Sequence, residues 1–129
     1  MIDLFQQQEN SQHIIGLLNA TDETTRNMAI SACGNLHLFE SKEVVKNNFR
    51  FETVKNQIEI TKIFNIIGDE TDITFIEQII QCEIIALRLE SVRTLYNLVE
   101  GGRAHLIALN ESMNFVLSPY ISHIQDNRN

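Results

Sequence analysis

The sequence has 129 residues, 43% of them hydrophobic and 21% charged, enough for one domain with a real core and too few for two ordinary ones. Ten basic against 17 acidic side chains leave a formal charge of −7, which repels phosphate backbones and argues against nucleic acid as a partner. Two cysteines are too few for a disulfide framework or a four-ligand zinc site, and one proline with no tryptophan excludes proline-rich and collagen-like classes.

In chain order, apolar periodicity and turn chemistry predict short helices (A) over residues 11–19, 42–49 and 72–82. Longer helices (B) follow over 22–37, 52–67 and 84–100. Thr21 or Asp22 can cap the first B helix, with Glu23 in its first turn. Gly68 closes the second B helix, Asp69 and Asp72 offer caps for the next, and Gly101-Gly102 ends the third. No apolar run approaches the roughly 20 residues of a membrane helix. The expectation is a soluble, acidic, cytoplasmic helical protein.

The chain repeats itself. Arg26-Asn-Met-Ala-Ile-Ser-Ala-Cys-Gly-Asn-Leu36, Gln57-Ile-Glu-Ile-Thr-Lys-Ile-Phe-Asn-Ile-Ile67 and Arg88-Leu-Glu-Ser-Val-Arg-Thr-Leu-Tyr-Asn-Leu98 align without gaps, 31 residues apart. Cys33/Phe64/Leu95 and Leu36/Ile67/Leu98 form apolar columns, and Ile30/Thr61/Val92 a third with one polar member. The A helices keep the same step in Ile14/Val45/Ile76 and Leu18/Phe49/Ile80. Residues 11–37, 42–68 and 72–100 are therefore three repeats of one helix pair. Ile2 and Phe5 extend the columns backward, making residues 1–10 the remnant of a preceding repeat. Leu106 and Ile107 extend the A columns forward, and the register weakens beyond Asn110. Residues 103–125, with Pro119 at a first turn or a kink, are expected to close the stack as a degenerate fourth unit.

Arg88-Leu-Glu-Ser-Val-Arg-Thr-Leu-Tyr-Asn-Leu98 and Lys62-Ile-Phe-Asn-Ile-Ile-Gly-Asp69 resemble HEAT repeats, in the short form of phycobilisome-lyase-type proteins. Pro119-Tyr-Ile-Ser-His-Ile-Gln-Asp126 is similar to the end of Bacteroidetes HEAT-domain proteins, in which a soluble domain often follows a membrane segment. The resemblance covers residues 11–126. It implies a single all-α domain, an α-solenoid of about three to four helix pairs. It also implies a parent chain that is larger or tethered upstream, with no membrane contact by this part. Gln57 stands where the other repeats have Arg26 and Arg88, which interrupts an arginine ladder.

At about 100° per residue, Leu87, Leu89, Val92, Leu95, Tyr96, Leu98 and Val99 spread over a wide apolar arc of the third B helix. Glu90, Arg93 and Asn97 lie opposite. Their equivalents are Glu59, Lys62 and Ile66, and Met28, Ser31 and Asn35. In HEAT-like solenoids the B helices line the concave wall, so the resemblance makes these nine residues a groove for a protein segment. The plainer reading of Glu59 with Lys62 and Glu90 with Arg93 is surface pairing one turn apart, worth about 0.2–0.5 kcal/mol each.

Catalytic chemistry finds no convergent set. His13, His37, His105 and His123 share no ligand spacing, and no metalloprotease, nucleophile-elbow or phosphate-loop motif occurs. Cys33 belongs to a core column, and Cys82 beside Glu83 lacks the positive surroundings that activate a thiol. Arg26 and Arg88 fall on the buried side of their helices, where they brace the A–B turn. Asp69, Glu70 and Asp72 read as a capping turn without the ligands of a calcium loop, and Tyr96 and Tyr120 as core-edge residues. The expected function is a non-catalytic protein–protein interaction scaffold without a cofactor. Through the resemblance, a bilin-lyase-like or glycosylase-like enzyme domain is the alternative, and a structural spacer a third. The apolar start of the chain adds the expectation of a weak homodimer through residues 1–18.

Overall fold

The computed structural model describes the backbone of residues 4–101 and the side chains of residues 7–100. These residues form six α-helices: α1 (Leu4–Leu17), α2 (Glu23–Asn35), α3 (Lys42–Asn48), α4 (Val54–Ile67), α5 (Ile73–Ile80) and α6 (Ile85–Gly101). Short 3-10 turns, Phe39–Ser41 and Phe49–Phe51, flank α3, and a third, Glu70–Asp72, leads into α5. Among the described residues there is no strand. The chain is all-α. From α2 onward every helix lies within two residues of its expected bounds. Residues 103–125, expected as a fourth unit, lie outside the described residues, as do His105, His123 and Tyr120.

Two compact units divide the chain, Met1–Gly68 and Asp69–Asn129, and the division falls between the second and third sequence repeats. In the first, α2 packs on α1 and on α4. Cys33 and Phe64 are fully buried there, with Leu18, Ile30, Val45 and Ile60. Each large apolar side chain so buried contributes roughly 1.5–3 kcal/mol. In the second, α5 packs on α6, burying Ile76 and Ile80 of α5 and Leu87 and Leu95 of α6. Cys33, Phe64 and Leu95, one 31-residue column, are all core residues.

The helix starts are fixed by local chemistry. Asp22 Oδ2 accepts from Thr25 N–H at 2.9 Å at the start of α2, and Thr53 Oγ1 from Asn56 N–H at 3.3 Å at that of α4. Asp69 and Asp72 form a reciprocal capping box, in which Asp72 is buried and accepts from Asp69 N–H at 2.9 Å. Arg26 braces the first A–B turn as expected. Arg26 Nη1 donates to the carbonyls of Ala20 and Thr21 at 3.0 and 2.9 Å. Gln57 performs the same task one repeat later, its Nε2 donating to Phe49 O at 2.9 Å. The amide replaces the guanidinium without loss of the brace.

Three sequence expectations are corrected. First, α1 is continuous through residues 10 and 11, where the repeat alignment puts a boundary. The polar stretch Gln7–Gln12 contains no glycine or proline, and Ser11 Oγ bonds back to Gln7 O at 2.9 Å, so nothing stops the helix. Second, Leu36 is 57% exposed, and Leu38 takes the buried place in its stead. The cause is a Schellman ending to α2: His37 adopts φ 54°, its N–H bonds Gly34 O, and Leu38 N–H bonds Cys33 O at 2.9 Å. That hook swings Leu38 rather than Leu36 onto the core. Third, the apolar arc of α6 divides. Leu87, Leu95, Leu98 and Val99 are buried, whereas Leu89 and Tyr96 are each 55% exposed.

Candidate functional site

The nine groove residues of the sequence fall on the solvent side of the B helices. In the first unit, Met28, Asn35, Lys62 and Ile66 are exposed, and Ser31 and Glu59 are half-buried between them. Helices α2 and α4 hold this strip in register by three contacts at successive turns. Asn27 Nδ2 donates to Asn56 Oδ1 at 2.9 Å, and Ser31 Oγ to Glu59 Oε1 at 2.6 Å. Beyond them Gly34 meets Ile63 so closely that an added Cβ would stand 2.8 Å from Ile63 Cγ2. The strip thus has a polar middle closed by Ser31–Glu59 and two apolar knobs, Met28 at 67% and Ile66 at 44% exposure. In the second unit Arg93 and Asn97 are exposed and Glu90 is half-buried on α6.

The pairing expected along each helix is realised once. Arg93 Nη1 lies 4.0 Å from Glu90 Oε2, with the arginine side chain 73% exposed, so solvent screening leaves the contact little worth. Glu59 instead gives its carboxylate to Ser31 across the helix interface, and no ion pair joins it to Lys62 among the described residues. The reason is reach: the close approach of α2 brings a hydroxyl to Glu59, while the Lys62 ammonium remains in water.

A second polar constellation, not anticipated from sequence, lies at the N-terminal ends of α2 and α4. Glu52, with a side chain only 5% exposed, receives Arg26 Nε at 3.2 and 3.0 Å on its two oxygens and Asn56 Nδ2 at 3.1 Å. Asn56 is fully buried and also reaches Glu23 O at 3.4 Å. Thr53 Oγ1 closes the set with a bond to Glu23 Oε1 at 3.1 Å. The bond to Glu52 holds the Arg26 guanidinium above its ordinary pKa. The sequence carries only a faint signal of this network: Glu52 recurs as Glu83 one repeat later, but Arg26 and Glu52 lie 26 residues apart, off the repeat step. Its groups satisfy one another, which makes it a structural tie between repeats.

Two clefts lined by described residues lie in the first unit. One, of about 300 Å³, borders this network and is lined by Leu18, Asn19, Arg26, Asn48, Phe51 and Glu52, with Asn48 Nδ2 donating to Asn19 Oδ1 at 3.0 Å. The other, of about 390 Å³, lies between α1 and the end of α2, where Gln7, Asn10, Ser11 and Ile14 face Leu36 and Leu38. Neither gathers a nucleophile with a base.

Burial pushes the Cys33 thiol above its usual pKa, consistent with its place in the core. Cys82 is half-buried, its Sγ 3.6 Å from Ile84 O. Among the described residues no group of three or more His, Cys, Asp or Glu could hold a metal ion, and no helix is long and apolar enough to cross a membrane. Comparison with known proteins matches no family model, no curated protein and no solved structure.

Proposed function

We propose that this protein is a non-catalytic interaction scaffold of the HEAT-like solenoid type, which grips an extended segment of another protein along its B helices. The observation that carries this reading is the pair of apolar knobs, Met28 and Ile66, standing exposed at either side of a polar middle built by Ser31, Glu59 and Lys62. Large exposed apolar side chains flanked by hydrogen-bonding groups are the composition of a binding face, where the first supply area and the second fix register. The strip is also rigid, because Gly34 and Ile63 lock α2 against α4 beneath it. Preorganisation of that kind lowers the entropic cost of association.

In this reading Lys62 and Arg93 supply positive points on a chain of net charge −7, so the partner segment carries acidic side chains among its apolar ones. The solenoid reading rests on the 31-residue period and on the short–long pairs α3/α4 and α5/α6, and with it goes the proposal of a cytoplasmic protein. The test is reversal of both cations, Lys62→Glu with Arg93→Glu. Loss of partner capture with unchanged helicity is expected. Undiminished capture would remove the strip from the binding site.

A further inference from the structure

Helices α2 and α4 run parallel: Asn27 meets Asn56, Ser31 meets Glu59 and Gly34 meets Ile63, each pair 28 or 29 residues apart. These contacts mark the line along which the two helices face each other. At about 100° per residue, Met28 and Asn35 lie about 75–95° round from that line on α2. Lys55, Lys62 and Ile66 lie about 55–95° round from it on α4, in the opposite sense. Opposite senses on two facing helices turn side chains to the same side, so all five share one face, and all five are exposed. Lys55 is a cation of this face that the repeat columns did not include. Neither Lys55 nor Lys62 forms an ion pair with a described residue, and Glu59 between them is half-buried and held by Ser31 at 2.6 Å. On a chain of net charge −7 the face presents positive charge.

The same register gives the spacing. Met28 is level with residue 57 of α4, about 3 Å past Lys55 along the axis, and Lys62 and Ile66 stand about 8 and 14 Å past Met28. Cation and apolar knob therefore alternate along the face, in the order Lys55, Met28, Lys62, Ile66. An extended segment repeats its side chains on one face every ~6.7 Å, and the flexible lysine stems take up the remaining few ångströms. A helical partner fits less well, because it satisfies its own backbone and needs a continuous apolar seat. Here the middle is polar, and the exposed Asn35 amide offers a donor and an acceptor to an extended backbone. On the interaction scaffold proposed above, we infer that this face reads an extended segment whose alternate side chains are acidic, apolar, acidic and apolar. Its carboxylates meet Lys55 and Lys62, and its apolar side chains meet Met28 and Ile66.

A labelled peptide, Glu-Ser-Leu-Ser-Glu-Ser-Leu-Ser-Glu, carries this alternation in both chain directions, and its fluorescence anisotropy with the full chain reads the binding. It should bind about tenfold more tightly than the same peptide with glutamine for glutamate. It should exceed by a similar factor a peptide of equal composition whose two leucines are adjacent. Lys55→Glu should weaken binding several-fold with an unchanged circular dichroism spectrum, since a glutamate in the first turn of α4 is favoured by the helix dipole. Equal binding by either control peptide, no binding by the alternating one, or full binding by Lys55→Glu would overturn the inference. The scaffold reading is judged separately, by capture from lysate. A partner lost on Lys62→Glu with Arg93→Glu would leave the scaffold standing with a segment of another pattern, and a partner retained there would remove the scaffold itself.

Discussion

Gly34 of α2 lies directly against Ile63 of α4, where a Cβ on the glycine would meet Ile63 Cγ2 at 2.8 Å and Cβ at 2.9 Å. This contact sets the separation of the two B helices and so brings Ser31 within reach of Glu59. Gly16, in α1, has no neighbour within 4 Å of the same built atom.

The two glycines therefore respond to alanine with opposite signs. Gly34→Ala gains helix propensity but overpacks the interface, and a net loss of about 1–2 kcal/mol is expected. Gly16→Ala pays no such penalty and should stabilise by about 0.5–1 kcal/mol. Urea denaturation of both variants checks this. A stabilised Gly34→Ala would show that α2 and α4 stand further apart.

Asn56 has no exposed surface and joins Asn27, Glu52 and the carbonyl of Glu23. Its replacement by alanine strands part of a buried network, and a loss of about 2–3 kcal/mol is expected. The urea midpoint should fall accordingly. An unchanged midpoint would mean that water reaches these groups.

His37 occupies the left-handed region at φ 54°, a place where a residue with a Cβ costs roughly 1 kcal/mol or more. His37→Gly should recover about 1 kcal/mol in thermal melts while keeping Leu38 buried. A destabilised variant would mean that the histidine ring contributes more than its backbone costs; the ring centroid lies 6.3 Å from that of the exposed Phe39.

The Thr25 amide, and then its hydroxyl, hold the Asp22 carboxyl below its ordinary pKa. The unfolded carboxyl, near pKa 3.9, takes up its proton first on acidification. The stabilisation is therefore present above that value and is lost as the pH falls through the lower folded one. Asp22→Asn keeps a good cap and removes the titration. The variant should lose less melting temperature between pH 5 and pH 2 than the unaltered chain, and parallel acid profiles would contradict the assignment.

The repeat period made most of the helical layout legible. Cys33, Phe64 and Leu95 could be assigned to the core because burial depends on a column that composition preserves. Leu36 misled because a helix end is decided by backbone geometry. A histidine at the turning position gives no signal of the kind a glycine would. Leu89 and Tyr96 misled because apolarity marks a surface that wants cover without saying which neighbour provides it. The Arg26–Glu52–Asn56 network was hidden because its members lie 26 and 30 residues apart, off the repeat step. Ser31 and Glu59 were read as separate groove positions, and their bond follows only from the close packing at Gly34.

The central claim is that the B-helix strip binds protein, and affinity capture with three forms of the chain tests it most directly. The unaltered chain, Lys62→Glu with Arg93→Glu, and Glu43→Lys on the exposed surface of α3 would be immobilised equally and exposed to lysate of the source organism. The account predicts one stoichiometric partner, retained by the unaltered chain and by Glu43→Lys and lost by the double reversal while its circular dichroism is unchanged. Capture of the same partner by the double reversal, or no stoichiometric partner for any form, would contradict it.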